Sequence, residues 1–477
     1  MISANGWRRL LAGTAGLLLA AAGLRAGPPV IRITNSVFEP GGSFRLGWSV
    51  SRPDMSYAVE TRTPEPGSAW GPISEIPGVG GPISETTYRV PVAFMPVNAL
   101  YRVRGIPFPS ERGKVLSSTR VRTFSAFEVQ LILGFLGINQ ITARNGVQFH
   151  KVVYETVDPH GFRTQASGAI AVPDGVTGPF PVLSYQHGTV TAREDVPSRV
   201  NTEGYLGAIL ASQGYLTLLP DYLGLGDSPG VHPYHHAASE ASATIDLLRA
   251  GRAWTATNHV ATSGKLFLAG YSQGGHATLA AMKEIEANLS AEFPLTAVAA
   301  GAGAYDLAGV TLEALLSGNP SPNPYYFPYL LASYIEVYGL APSLADVLAA
   351  PYSTTVPPLF ASGLATSAAL NAALPAVPIQ AMKPEGLAAF RTQPDHPLRE
   401  ALRRNSLIDW VPQAPLRLYH CAADQDVPPA NSDVALERFT ALGAPSVGRF
   451  DPMPTASHGD CAAPAVLLAT LWFETLR

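Results

Sequence analysis

Only two of the 477 residues are cysteine, Cys421 and Cys461. So few thiols exclude a disulfide-dense scaffold and a cysteine-rich metal site. Charge is scarce as well: Asp, Glu, Lys and Arg make up 14% of the chain and leave a net charge of −4. A chain that grips nucleic acid by its phosphates carries a basic excess, and none is present here. Past the N-terminus no apolar run is long enough to read as a membrane helix. What the chain has in quantity is glycine and proline, 44 and 43 residues, spread along its length as turns and not gathered into one disordered tract. The length allows two or three domains and a large core.

Residues 1–26 read as a signal peptide. Arg8 and Arg9 supply a positive region, residues 10–20 an apolar one, and Ala20 to Gly23 or Ala26 the small residues for cleavage. The apolar run is shorter than the roughly 20 residues that a membrane span needs. The expectation is an exported protein, secreted or periplasmic.

Residues 30–107 hold short alternating apolar runs between Pro and Gly turns, which predicts a small all-β, sandwich-like domain with Trp48 and Trp70 in its core. A carbohydrate- or surface-binding module competes with a structural spacer, and the absence of a binding cluster favours the spacer. Residues 108–139 read as a polar linker followed by a helix over 124–136 that packs on the next domain. From residue 140 to 477 strands and helices alternate, the texture of a mostly parallel sheet with helices on both faces. One stretch breaks the rhythm: residues 307–410 are helical and apolar, which predicts an inserted cap or lid.

The chain is organised around Gly270-Tyr271-Ser272-Gln273-Gly274, between an apolar strand (265–269) and a helical pattern beginning at residue 273. Strand, G-x-S-x-G and helix together make the context of a nucleophile elbow, with Gly270 and Gly274 where neighbouring chain leaves no room for a side chain. Such a serine needs an acid and then a histidine later in the chain. Asp424 follows the strand 416–419 and stands three residues before Val427-Pro428, with Asp426 as runner-up. Of 11 histidines, His458 alone lies after that acid, in a loop before the last helix. Its ordinary pKa near 6.5 suits it to take and return the serine proton near neutral pH. For an oxyanion hole, the N–H of Gln273 is one donor, and the second is Thr189, or alternatively Gly188, in the loop after the strand 181–185.

Tyr185 to Thr189, Pro220 to Gly224 with Gly226-Asp227-Ser228, the elbow, Asn405-Ser406-Leu407 with Asp409-Trp410, and His458-Gly459-Asp460 together resemble α/β-hydrolases of the secretory lipase type. The resemblance covers residues 140–477. It implies an α/β-hydrolase fold with a helical cap, and hydrolysis of a small-molecule or lipid ester through an acyl-enzyme, with no metal and no organic cofactor. It further implies that the cap could meet a lipid interface, and that Asp221 braces loops near the site. Where related sequences usually carry glycine after the histidine of the acid strand, this chain has Cys421. Cys461 lies three residues after His458, so if Asp424 and His458 meet, the cysteines come close. A disulfide is expected there, with two buried thiols as the alternative. Two rival functions remain open: a serine peptidase of the prolyl-oligopeptidase type, and an inactive hydrolase-fold binding protein.

Overall fold

The computed structural model describes residues 32–39, 43–49, 55–64, 71–77, 86–91, 100–107, 111–161 and 163–477. The segment 1–26 and Trp70 lie outside the described residues. The chain divides into two compact units, Met1–Phe108 and Pro109–Arg477.

The first unit contains β1 Arg32–Glu39, β2 Ser43–Ser49, β3 Met55–Arg62, β4 Gly71–Pro77, β5 Thr86–Pro91 and β6 Leu100–Pro107. They form two antiparallel three-stranded sheets, ordered β1-β2-β5 and β4-β3-β6. Alternation does the sorting. Phe44, Leu46 and Trp48 on β2 turn one face inward, and Tyr57 and Val59 on β3 meet them in one buried cluster. The Trp48 and Tyr57 rings are 5.9 Å apart.

The second unit is built on a nine-stranded sheet in the order β15-β14-β13-β12-β10-β11-β9-β8-β7. The strands are β7 Val115–Phe124, β8 Gly146–Val157, β9 Arg163–Asp174, β10 Phe180–Gln186, β11 Leu216–Pro220, β12 Thr262–Tyr271, β13 Ala297–Gly301, β14 Leu416–Tyr419 and β15 Val447–Phe450. From β10 to β15 neighbouring strands are parallel, while β7, β8 and β9 add an antiparallel wing. The inner strands β11 and β13 are buried along their whole length, hence their uninterrupted apolar sequences. After β10 the chain passes to β11 on one side and then returns to β12 on the other. That reversal opens a crevice at the carboxyl ends of β10 and β12.

Two strands were not foreseen. Part of the expected linker, residues 107–123, forms β7, an edge strand in which eight of ten residues are exposed. With nothing to bury, its sequence carries no apolar alternation. The edge strand β15 is short and only half-buried, and is silent for the same reason.

Helix α1 (Ala126–Phe135) starts on a Ser125–Glu128 capping box and buries Val129 and Leu133, leaving Phe127, Leu131 and Phe135 exposed. Helices α2 (Thr202–Ser212), α3 (Ala237–Thr257) and α4 (Gln273–Glu284) pack on the sheet. The stretch 307–410 is helical: α5 Leu312–Leu316, α6 Tyr326–Tyr338, α7 Leu344–Val347, α8 Tyr352–Ser362, α9 Ser367–Ala372, α10 Pro384–Thr392 and α11 Pro397–Asn405. It has a core of its own around Phe327, Leu331, Tyr334, Leu370 and Phe390. Helices α12 (Ala430–Ala441) and α13 (His458–Glu474) close the chain. Among the described residues no helix is long and apolar enough to cross a membrane.

Candidate active site

Strand β12 turns into α4 through the elbow, and Ser272 sits at the bend with φ +60°. A side chain there is strained, at a cost of about 1–3 kcal/mol, and surrounding packing must hold it. The packing is visible at the glycines. A Cβ on Gly274 would stand 1.9 Å from the Gln186 carbonyl oxygen, and one on Gly270 would stand 2.3 Å from that of Gly274. The Ser272 N–H donates to the Gly301 carbonyl at 2.9 Å, tying the elbow to the end of β13. Its hydroxyl is left facing the crevice.

The first residue of α13, His458, brings its Nε2 to 2.8 Å from Ser272 Oγ. Its Nδ1 lies 2.6 Å from Asp424 Oδ2. An ionised carboxylate only accepts, so Nδ1 carries the hydrogen and Nε2 is left to accept from the serine hydroxyl. Asp424 follows β14 and is buried. The backbone N–H groups of Asp426 and Val427 both donate to its Oδ1 at 2.9 Å. His420 Nε2 approaches Oδ2 at 3.2 Å. Burial raises the Asp424 pKa, but hydrogen bonds from His420 and His458 outweigh it and hold the carboxyl well below its ordinary range. The runner-up Asp426 lies on a cavity wall, accepting from Asn323 Nδ2 at 2.8 Å. Cys421 and Cys461 are joined in a disulfide, linking the loop of Asp424 to the helix of His458.

The loop after β10 reaches the same place. A Cβ on Gly188 would lie 3.8 Å from that of Ser272. The Gly188 N–H is directed at Glu203 Oε1, 3.4 Å away. Among the described residues neither Thr189 nor Gln273 has an acceptor for its N–H. Their N–H groups are thus unengaged, whereas that of Gly188 has a partner. Asp221 accepts from Ser167 Oγ at 2.6 Å and from the Ser198 N–H at 3.0 Å, so it ties loops together behind the site.

A cavity of about 450 Å³ opens at Ser272. Leu307, Leu312, Phe327 and Leu330 line its inner part, and Ser317 and Asn319 its exposed end. His235, Glu240 and His276 bring potential metal-ligand atoms within 4.8 Å of one another. His276, however, already uses both ring nitrogens, on Glu240 Oε2 (2.6 Å) and on the Asn405 carbonyl (2.9 Å), so the cluster is a hydrogen-bonded network. Sequence reasoning passed over His420, Glu203 and Glu240. Of these only His420 left a trace, its four-residue spacing from Asp424, and one such spacing carries little information.

The family model for secretory lipase matches residues 196–319. The chain is similar to the solved rice cell wall degrading esterase LipA from Xanthomonas oryzae: 31% identity, covering 77% of this chain and 100% of that one, with a TM-score of 0.69. It is similar to a putative hydrolase from Legionella pneumophila at 31% identity, covering 75% and 96% of the two chains, with a TM-score of 0.70. Candida antarctica lipase A, at 17% identity, 76% and 81% coverage and a TM-score of 0.57, shares the fold. No curated protein matches. An elbow serine on a mostly parallel sheet, an inserted helical stretch and identity across the full length of a solved esterase lead to one assignment: the chain belongs to the α/β-hydrolases of the secretory lipase type.

Proposed function

We propose that this chain is an exported serine hydrolase that cleaves carboxylic esters through an acyl-enzyme. One observation carries the reading: the run Ser272 Oγ, His458 Nε2, His458 Nδ1, Asp424 Oδ2, with links of 2.8 and 2.6 Å, starting from a strained serine at the mouth of a cavity. Ser272 attacks the acyl carbonyl while His458 takes its proton. Asp424 holds the tautomer and steadies the imidazolium that forms. The N–H groups of Gln273 and Thr189 receive the developing oxyanion. The alcohol leaves with the proton from His458, and a water activated by the same nitrogen releases the acid. The chemistry needs no metal and no organic cofactor.

The apolar inner cavity suits the acyl part of a small or lipid ester, and the cap helices that line it are where contact with a lipid surface would occur. Secretion is supported by the family and by the sequence of residues 1–26. The peptidase reading is not favoured by the small first unit, since those enzymes carry a β-propeller several times larger. Nor does a complete hydrogen-bonded triad favour an inactive protein.

The test is Ser272→Ala on the purified protein. Hydrolysis of short p-nitrophenyl esters should fall by at least about 10⁴-fold, and labelling by a fluorophosphonate should vanish. Activity retained in that variant would end the proposal.

A further inference from the structure

Both residues assigned as oxyanion donors have side chains held by one stretch of chain, 232–240. Gln273 Nε2 donates to Glu240 Oε1 at 3.0 Å and to His232 Nε2 at 2.8 Å. The hydroxyls of Thr189 and Tyr234 are hydrogen-bonded at 3.0 Å. His232 Nδ1 donates to the Leu223 carbonyl at 2.8 Å, which leaves its Nε2 free to accept. Burial pushes His232 down to about 4, so that acceptor persists at neutral pH. The other oxygen of Glu240 lies 2.6 Å from His276 Nδ1, whose ring is anchored on Asn405. Glu240 is 1% exposed. A carboxylate buried so deeply is costly unless fully satisfied, and here each oxygen has a named partner.

The cap fastens the same stretch. Ser333 Oγ donates to the Tyr234 carbonyl (3.1 Å) and Tyr334 OH to that of His235 (3.0 Å). Tyr329 OH donates to the carbonyl of Val190, next to Thr189, at 3.1 Å. His235 itself is held at φ +53°.

We propose that Glu240 is a positioning residue for the reaction: through the Gln273 side chain it aims the Gln273 N–H at the oxyanion, while Tyr234, from the same stretch, does so for Thr189. The proposal rests on the hydrolase reading above. Its physical basis is that an oxyanion donor works only within about 2.7–3.1 Å of the developing charge, and a misplacement of about 1 Å can cost on the order of 10²-fold. Gln273 is the first residue of α4, beside a strained serine: the carbonyl of its peptide, on Ser272, accepts from the Gly275 and His276 N–H groups at 2.9 and 3.3 Å, while the N–H itself has no helical acceptor. Fixing its side chain at two points adds a second hold, from the side away from the helix, on where that N–H stands.

The experiment compares Glu240→Ala, Glu240→Gln, Gln273→Ala, the double variant Glu240→Ala/Gln273→Ala, and Tyr234→Phe in the full chain. Active sites are counted with a fluorophosphonate. The kinetic parameters for a p-nitrophenyl ester and the affinity for an alkylboronic acid, a tetrahedral-state mimic, are then measured. Glu240→Ala should lower kcat by about 10–100-fold with KM within about 2-fold, and boronate affinity should fall in parallel. Glu240→Gln should restore most of kcat relative to Glu240→Ala, because its amide can accept from Gln273 and donate to His276 Nδ1. The double variant should lose no more than the worse single one. Normal kcat in a folded Glu240→Ala, losses that multiply, or a Glu240→Gln as impaired as Glu240→Ala would each overturn the proposal. If Glu240→Ala does not fold, Tyr234→Phe decides: it removes one hydroxyl, should lower kcat by about 3–10-fold, and overturns the proposal if kcat is unchanged. A wild-type protein that no fluorophosphonate labels would refute the hydrolase reading. A labelled protein whose variants all turn over normally would refute the positioning role alone.

Discussion

At the scale of single residues the proposed catalytic acid stands out, because Asp424 meets two imidazoles. His458 takes one position on Oδ2 and His420 approaches the same oxygen, while two backbone N–H groups occupy Oδ1. His420 in turn is fixed by Ser432 Oγ at 2.8 Å. Its Nε2 also meets the Val427 carbonyl at 3.0 Å, so replacing His420 by phenylalanine removes both that bond and the contact with the Asp424 carboxylate, together worth roughly 1.5 kcal/mol, and kcat should fall by about 10-fold. Steady-state kinetics check this; an unchanged kcat would mean that the backbone donors orient Asp424 unaided. Acidification should act first through other groups. Burial holds His232 at about 4 and His236 at about 3, both below the ordinary value near 6.5. As pH falls below 6.5 the unfolded chain binds protons that the folded one refuses. Stability is therefore full above that value and drops by about 1.4 kcal/mol per pH unit for each histidine, down to about pH 4 for His232 and about pH 3 for His236. The lowered Asp424 carboxyl acts in the same direction but in a lower pH window: its stabilising contribution is present above its ordinary value near 3.8 and is lost only as pH falls through its native one. A thermal-melt series from pH 7.5 to 4 should show the histidine decline and no loss from Asp424 within it.

At the scale of elements, the link between the Asp424 loop and α13 can be tested by Cys421→Ser. Closing a loop of 40 residues should contribute roughly 2–4 kcal/mol, so the variant should melt at a lower temperature and lose activity on mild heating before the fold as a whole is lost. The elements also show what the sequence made legible. Buried strands such as β11 and β13 announce themselves, because covering both faces demands an unbroken apolar run. The elbow does so too, since its steric demand restricts two positions to glycine. Edge strand β7 stayed hidden because exposure removes the pattern, and 115–124 read as a linker. The meeting of Ser272, Asp424 and His458 was legible because a motif fixes both residue type and order. Glu203, Glu240 and His420 were not, because what defines them is a partner 15, 33 or 4 positions away, chosen by folding and not by any local rule.

At the scale of the whole molecule, the two units each hold a separate cluster of buried side chains, and the LipA esterase matches this chain over 77% of its length. Removing residues 1–108 should leave a folded enzyme whose kcat/KM on soluble esters stays within about 2-fold of the full chain; a larger loss would assign the first unit a part in turnover. The disulfide has a wider consequence, one of timing. It brackets the acid and the base, with Asp424 three residues beyond Cys421 and His458 three before Cys461. Under the reducing conditions of a cytoplasm the two thiols stay apart, and the triad lacks the covalent tie that sets its last two members against each other. On the proposed reading of an exported esterase, full hydrolytic power would then be acquired only once the chain reaches oxidising surroundings.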